Sequence, residues 1–182
     1  IRINAFTRGV GNEVSEMLAK SDHQGGVVLD LRDNPGGLVE EAVAVVGAFV
    51  SGGVVVSYER RGQESVVLEA AEGSKEYGSL AVVVNAQSVS ASEIVAAALQ
   101  DRNRAVIVGI KTFGKGTVQE PQLLSDGSTI QLSVGRYRTP SGRYLEGRGV
   151  QPDVVSPSSK SIARAVSIVT SLNTIAGPGG KG

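Results

Sequence analysis

The chain has 182 residues, 41% of them hydrophobic, and its 18 basic and 18 acidic residues give a formal net charge of zero. This balance is typical of one soluble globular domain and gives no support to a nucleic-acid partner. Because the sequence has no cysteine and one histidine, disulfides, thiol nucleophiles, zinc–thiolate sites and multi-histidine sites are excluded. We expect no metal and no other cofactor. No apolar run reaches the ~18 residues needed to cross a bilayer.

The first third of the chain predicts alternating strands and helices. Residues 1–6 alternate apolar and polar side chains, as a half-buried strand does, and residues 11–20 have apolar residues at helical spacing. An apolar run over residues 27–31, broken only at Asp30, predicts a buried strand. The loop signal Asn-Pro-Gly-Gly at residues 34–37 then separates this strand from a helix over residues 39–49.

The rest of the chain continues this alternation and adds a β ribbon. In order, the pattern predicts a strand over 54–58, an excursion over 62–78, a strand over 80–85, a helix over 90–100, a strand over 105–108, a hairpin of 117–123 with 129–137, and a helix over 162–172. Alternating strands and helices favour a largely parallel sheet with helices packed on it. The predicted fold class is therefore α/β, with a mostly parallel sheet and a C-terminal β ribbon.

Ser90 follows a buried strand and begins a helix. A serine at such a junction projects from the carboxyl end of the sheet, where α/β proteins usually form their sites. The free N–H groups of the helix N-terminus, that of Ala91 first, suit a developing oxyanion. Ser90 with Glu93 also fits a capping box, in which the serine merely caps the helix. Taken alone, the motif leaves capping and catalysis open, and the two roles are compatible.

Two glycine-containing loops are further candidates. Lys115 lies between Gly114 and Gly116 after a predicted strand. A lysine is a base only when its amine is neutral, a state that burial favours, so we expect a catalytic lysine to be mostly buried. In the other loop, Gly36 and Gly37 could aim backbone N–H groups into a cavity as oxyanion donors. A solvated lysine and an ordinary Pro-Gly turn are the alternative interpretations.

These motifs, in this order, resemble those of the carboxy-terminal processing proteases, also called tail-specific proteases. The resemblance rests on residues 29–37 (LDLRDNPGG), 88–96 (SVSASEIVA) and 109–119 (GIKTFGKGTVQ), and on 140–143 (PSGR) with 149–153 (GVQPD). It extends from about residue 3 to residue 153. Its motifs are specific, because each is several residues long and all are collinear.

The resemblance implies roles for individual residues. The nucleophile would be Ser90 and the general base Lys115. Glu93 and Gln119 would be the supporting polar residues, Gln119 by orienting the lysine amine. The oxyanion donors would be the N–H groups of Ala91 and Gly36, with Gly37 as the alternative to Gly36.

The resemblance also implies an architecture and a setting. The family fold is a spiral of ββα units, related to crotonase and Clp peptidase. The family cleaves proteins near their C-termini, so protein tails are the expected partners, and it typically works outside the bacterial cytoplasm or in an equivalent lumen. Homo-oligomers are possible, and a membrane contact is expected only through an upstream segment.

The resemblance leaves one usual family component without a match. The family usually carries a PDZ domain, and nothing in this sequence resembles one. We interpret residues 1–176 as a catalytic core from a longer protein and residues 177–182 as a flexible tail.

Other functions are weighed against this one. A Ser-His-Asp hydrolase would have to use His23, which follows a predicted helix and suits a helix C-terminus better. Residues 109–115 nearly match a phosphate-binding loop, but Gly116 replaces the required hydroxyl residue and the following segment is extended. The remaining alternative is a non-catalytic relative that binds an apolar peptide tail or a small hydrophobic ligand. The intact pair of Ser90 and Lys115 argues against it.

Overall fold

The computed structural model describes residues 1–21, 25–60, 62–73 and 77–176, and its fold is α/β, as the sequence predicts. His23 and residues 177–182 lie outside the described residues, so the interpretations of both stay predictions. The elements are, in chain order, α1 Val10–Lys20, β1 Val27–Asp30, α2 Val39–Gly47, β2 Val54–Arg60, β3 Val66–Glu69, β4 Leu80–Val84, α3 Ala91–Asp101, β5 Ala105–Gly109, β6 Thr117–Leu123, β7 Thr129–Arg138, β8 Val154–Val155 and α4 Ser158–Ala176.

A parallel sheet with the strand order β1-β4-β5-β8 holds the core. All five residues of β4 are buried, because helices cover both of its faces. Leu80, Val82 and Val84 join the apolar cluster formed with α1, α2 and α3, whereas Ala81 and Val83 join the cluster formed with α4. The continuous apolar run that predicts this strand thus reflects two packed faces.

The predicted ribbon is part of a second, antiparallel sheet with the order β3-β2-β7-β6. The hairpin of β6 and β7 forms as predicted, and β7 also pairs with β2, with Tyr58 opposite Tyr137. The predicted excursion supplies β3, which pairs with β2. The loop that joins β5 to β6 leads from the carboxyl end of a parallel strand into this second sheet.

The prediction of a regular strand over residues 1–6 is wrong. This segment makes two isolated parallel bridges, Arg2 with Asp30 and Phe6 with Gly37. The side-chain amide of Asn34 donates to the carbonyl oxygen of Ile3 (2.8 Å), which a continuing ladder would use. None of the helices within the described ranges is long and apolar enough to cross a membrane.

Candidate active site

Ser90 lies at the turn between β4 and α3. Its backbone has φ 57° and ψ −114°, a strained conformation that costs a residue other than glycine about 1–3 kcal/mol. The turn is held on both sides, because the Val89 N–H donates to the Asn34 carbonyl oxygen (3.0 Å) and the Ser90 N–H donates to Glu93 Oε2 (2.9 Å). The second bond is the glutamate half of the predicted capping box. Strain maintained by such neighbours is typical of functional positions, and helix capping alone does not require it.

Glu93 is fully buried and joins the turn of Ser90 to the loop of Lys115. Its Oε1 accepts hydrogen bonds from the Thr112 hydroxyl (2.5 Å) and the Gly114 N–H (2.6 Å). Its Oε2 accepts from the N–H groups of Lys115 (2.8 Å) and Ser90 (2.9 Å). Four donors occupy the lone-pair positions of one carboxylate. The two segments that carry the predicted nucleophile and base therefore share one acceptor.

The loop around Lys115 requires its glycines. Gly114 has φ 97°, which favours glycine, and a Cβ on Gly116 would lie 2.3 Å from the backbone nitrogen of Glu146. The Glu146 carboxylate accepts a hydrogen bond from the Gly116 N–H (2.6 Å), which fixes the loop from the other side. Lys115 itself is partly buried. The expectation of a mostly buried lysine is thus met only in part.

One cavity of about 510 Å³ brings Ser90, Lys115 and Gln119 together. These three residues come from the N-terminus of α3, the β5–β6 loop and β6, and all of them line the cavity. Gly37 also lines it. Glu93 is not among its lining residues and belongs to the buried network just described. The cavity therefore unites the sequence motifs that composition and spacing alone leave separate.

The two glycines of the Asn-Pro-Gly-Gly loop differ in what their N–H groups do. The Gly36 N–H donates to Oδ1 of Asn34 (2.8 Å), an Asx turn within the loop. The N–H groups of Gly37 and Ala91 donate to no acceptor among the described residues. Gly36 instead packs against the turn of Ser90, since a Cβ on Gly36 would lie 2.9 Å from Ser90 Cβ. Of the two predicted glycine donors, the alternative, Gly37, is the one whose N–H is free.

Sequence reasoning missed the residues that hold and wall the cavity. Asn34 is fully buried and organises the glycine loop, whereas the sequence indicates a role only for the two glycines of this motif. The aromatic wall consists of Tyr58 and Tyr137, with ring centroids 5.8 Å apart and an edge-to-face angle of 79°. Burial raises the pKa of Tyr137 to about 12, and Tyr58 and Glu40 add to the shift. No local motif marks these tyrosines, because their pairing joins strands far apart in the chain.

Comparison with known proteins gives independent information on the chain. Residues 1–156 match the family described as peptidase family S41. The chain is 36% identical over 165 residues to a probable CtpA-like serine protease of Staphylococcus aureus (strain N315), covering 88% of this chain and 33% of that protein. A protein of the same description from Staphylococcus epidermidis is 36% identical over 159 residues, covering 85% and 32%. The chain thus spans about a third of the length of these relatives.

Solved structures share the architecture. A photosystem II D1 C-terminal processing protease superposes with a TM-score of 0.81 at 32% identity, over 93% of this chain and 46% of that one. Mature CPAF superposes with a TM-score of 0.74 at 14% identity, over 97% of this chain and 51% of that one, a likeness of fold alone. The matched family covers every motif on which the sequence resemblance rests, and that resemblance is confirmed: this chain belongs to peptidase family S41.

Proposed function

We propose that the chain is the catalytic core of a serine endopeptidase in which Ser90 is the nucleophile and Lys115 the general base. The observation that carries the proposal is the shared cavity of Ser90, Lys115 and Gln119. The strained Ser90 backbone and the common acceptor Glu93 support it, because they hold the nucleophile turn and the lysine loop in a fixed relation. An arrangement of this kind is what acyl transfer by an activated serine needs.

The reaction follows from these groups. Lys115 Nζ takes the proton of Ser90 Oγ as Oγ attacks the substrate's carbonyl carbon. The N–H groups of Ala91 and Gly37 then stabilise the oxyanion. Collapse breaks the C–N bond, and Lys115 returns its proton to the leaving amine. Lys115 next takes a proton from water as the water oxygen attacks the acyl carbonyl carbon. The ester bond to Oγ then breaks, and Lys115 returns that proton to Ser90 Oγ, which releases the carboxylic acid product.

We further propose that the substrates are protein C-terminal regions. Support comes from one structural relative, which is named a C-terminal processing protease. The location outside the cytoplasm and any homo-oligomer are proposals that rest on the family resemblance alone. Fractionation of the source cells and sedimentation of the purified chain would test the two.

Covalent labelling of the purified chain by a fluorophosphonate tests the chemistry without a known substrate. We expect the probe to modify Ser90, which intact mass and peptide mapping would locate, and Ser90→Ala to abolish labelling. Lys115→Ala should slow labelling by at least about 100-fold, the usual contribution of a positioned base. Lys115→Arg should do the same, because a guanidinium keeps the charge but is not deprotonated near neutral pH.

Lys111 is the matched control, since it is exposed and lies in the same loop. Lys111→Ala should label at the rate of the unmodified chain. Circular dichroism and thermal unfolding would verify that each variant is folded. Labelling of folded Lys115→Ala at the unmodified rate would refute the base, and a folded chain that never labels would favour the non-catalytic ligand-binding alternative.

A further inference from the structure

Arg60 ends β2 and lines the cavity that contains Ser90 and Lys115. It lies on the same face of the antiparallel sheet as Tyr58, because side chains two apart on a strand share a face. Its guanidinium carbon is 5.5 Å from the centroid of the Tyr58 ring, a cation–π contact. The Arg60 guanidinium is thus held against the aromatic wall inside the proposed peptide site. It has no role in the mechanism proposed above.

The hydrogen bonding of Arg60 is incomplete. One end of its guanidinium forms an ion pair with Glu120 on β6. Its Nε is buried and has no hydrogen-bond partner in the part of the chain that the structure describes. An unsatisfied buried donor is unfavourable, whereas a carboxylate facing Nε and a terminal nitrogen accepts two parallel bonds. A carboxylate that faces both Nε and a terminal nitrogen would therefore displace Glu120 from Arg60.

Glu120 is a weak competitor for this role. Its side chain is 42% exposed and that of Arg60 is 30% exposed, so the pair sits at the rim of the cavity. Exposed ion pairs contribute little, because water solvates both partners well. Glu40 also lines the cavity. Because two acidic residues, Glu40 and Glu120, line the same cavity as Arg60, the cavity as a whole does not attract a carboxylate, and selection has to come from direct contact.

We propose that Arg60 binds a carboxylate of the peptide substrate. In the absence of peptide, the Arg60 guanidinium pairs with Glu120 instead. The inference rests on the proposed function for the identity of the ligand as a peptide. The carboxylate is either the free C-terminus of the peptide or an Asp or Glu side chain close to the scissile bond. Arg60 is thereby a specificity-determining residue within the catalytic cavity itself.

The chain offers a matched arginine on the opposite face of the same sheet. Arg138 also lies over a tyrosine, with its guanidinium carbon 4.3 Å from the centroid of Tyr144, and it pairs with Glu59 at 3.0 Å. Its Nε is likewise buried without a partner among the described residues. Arg138 does not line the catalytic cavity. Both arginines lie over a tyrosine, pair with a glutamate and have an unpaired Nε among the described residues. They differ because Arg60 alone of the two lines the cavity that contains Ser90.

Peptide binding to the Ser90→Ala chain tests the proposal independently of turnover. Fluorescence anisotropy would compare four labelled peptides of small apolar residues: one with a free C-terminal carboxylate, one amidated, and two amidated peptides with an internal Asp or its Asn counterpart. We expect at least one carboxylate peptide to bind about tenfold more tightly than its neutral counterpart. The member of the set that gains affinity identifies the source of the carboxylate.

Substitutions then test whether Arg60 causes the higher affinity for the carboxylate peptide. Arg60→Gln should abolish the preference for the carboxylate, and Glu120→Gln should strengthen it several-fold by removing the competitor. Arg138→Gln and Glu59→Gln should leave it unchanged. Equal affinities for charged and neutral peptides, no measurable binding of any of them, or a preference that survives Arg60→Gln in a folded variant would each overturn the inference. Fluorophosphonate labelling of Ser90 decides the peptidase proposal separately.

Discussion

The two sheets differ in how they are covered. In the parallel sheet, every residue of β4 is buried between helices. In the antiparallel sheet, the distal part of the β6–β7 hairpin is exposed, with Leu123 69% and Leu132 43% accessible. The covered sheet supplies the turn of Ser90 and its buried network, whereas the open sheet supplies the aromatic wall of the cavity. The buried support of the candidate site and its more accessible walls thus come mainly from different sheets.

The largest expected difference in stability between the two sheets is that between substitutions of Glu93 and Glu120. Glu93→Ala removes the buried acceptor of three N–H groups and one hydroxyl, and unsatisfied buried donors cost about 1–3 kcal/mol each. We expect the free energy of unfolding, measured in urea, to fall by more than about 3 kcal/mol. Glu120→Ala, which removes only a rim ion pair, should cost less than about 1 kcal/mol. Similar losses for both would show that the sheets do not differ in this way.

Apolar side chains should also contribute more to stability in the covered sheet than in the open sheet, with a somewhat smaller difference. Leu29 on β1 is fully buried, and Leu29→Ala should lower the free energy of unfolding by about 2–5 kcal/mol. Leu132→Ala on the exposed hairpin should change it by no more than about 0.5 kcal/mol. Urea denaturation of the two variants would measure both. A large loss for Leu132→Ala would mean that the hairpin face is covered in solution.

The smallest effect is a pH dependence at the edge of the covered sheet. Burial alone would raise the pKa of Asp30, but hydrogen bonds from Arg32 and the charges of Arg32 and Arg2 hold it below its usual value. A carboxylate with a lowered pKa stabilises the fold above its unfolded pKa of about 3.9, and that stability is lost as the pH falls further. Asp30→Asn should therefore cost about 1–2 kcal/mol at pH 7 and progressively less below about pH 4. A cost that stayed constant to pH 3 would contradict this assignment.

Much of the covered sheet could be predicted from the sequence, because its signals are local. The uninterrupted apolar run of β4 marks a strand buried on both faces, and Ser90 with Glu93 marks the start of α3. The motifs around Ser90 and Lys115 also place both residues near the carboxyl end of the strands. The fold class and the family follow from these features.

The open sheet and the finer parts of the site could not be predicted, because they depend on long-range pairing. The register of Tyr58 opposite Tyr137 joins segments that no local pattern connects. The pairing of Arg60 with Glu120 crosses the intervening strand β7. The use of the Gly36 N–H by Asn34 requires the folded loop. Short two-residue pairing, as in β8, likewise has too few residues to give a pattern.

The position of Glu93 has a consequence for exchanging parts between relatives. A loop of residues 112–116 transplanted from another member of the family would arrive with three donors aimed at a carboxylate on α3. The same carboxylate accepts the hydrogen bond that holds the turn of Ser90. A transplanted loop that fits a different first turn of α3 would therefore disturb both the loop and the turn of Ser90. The loop and the first turn of α3 therefore make up one module, to be inherited, recombined or engineered together.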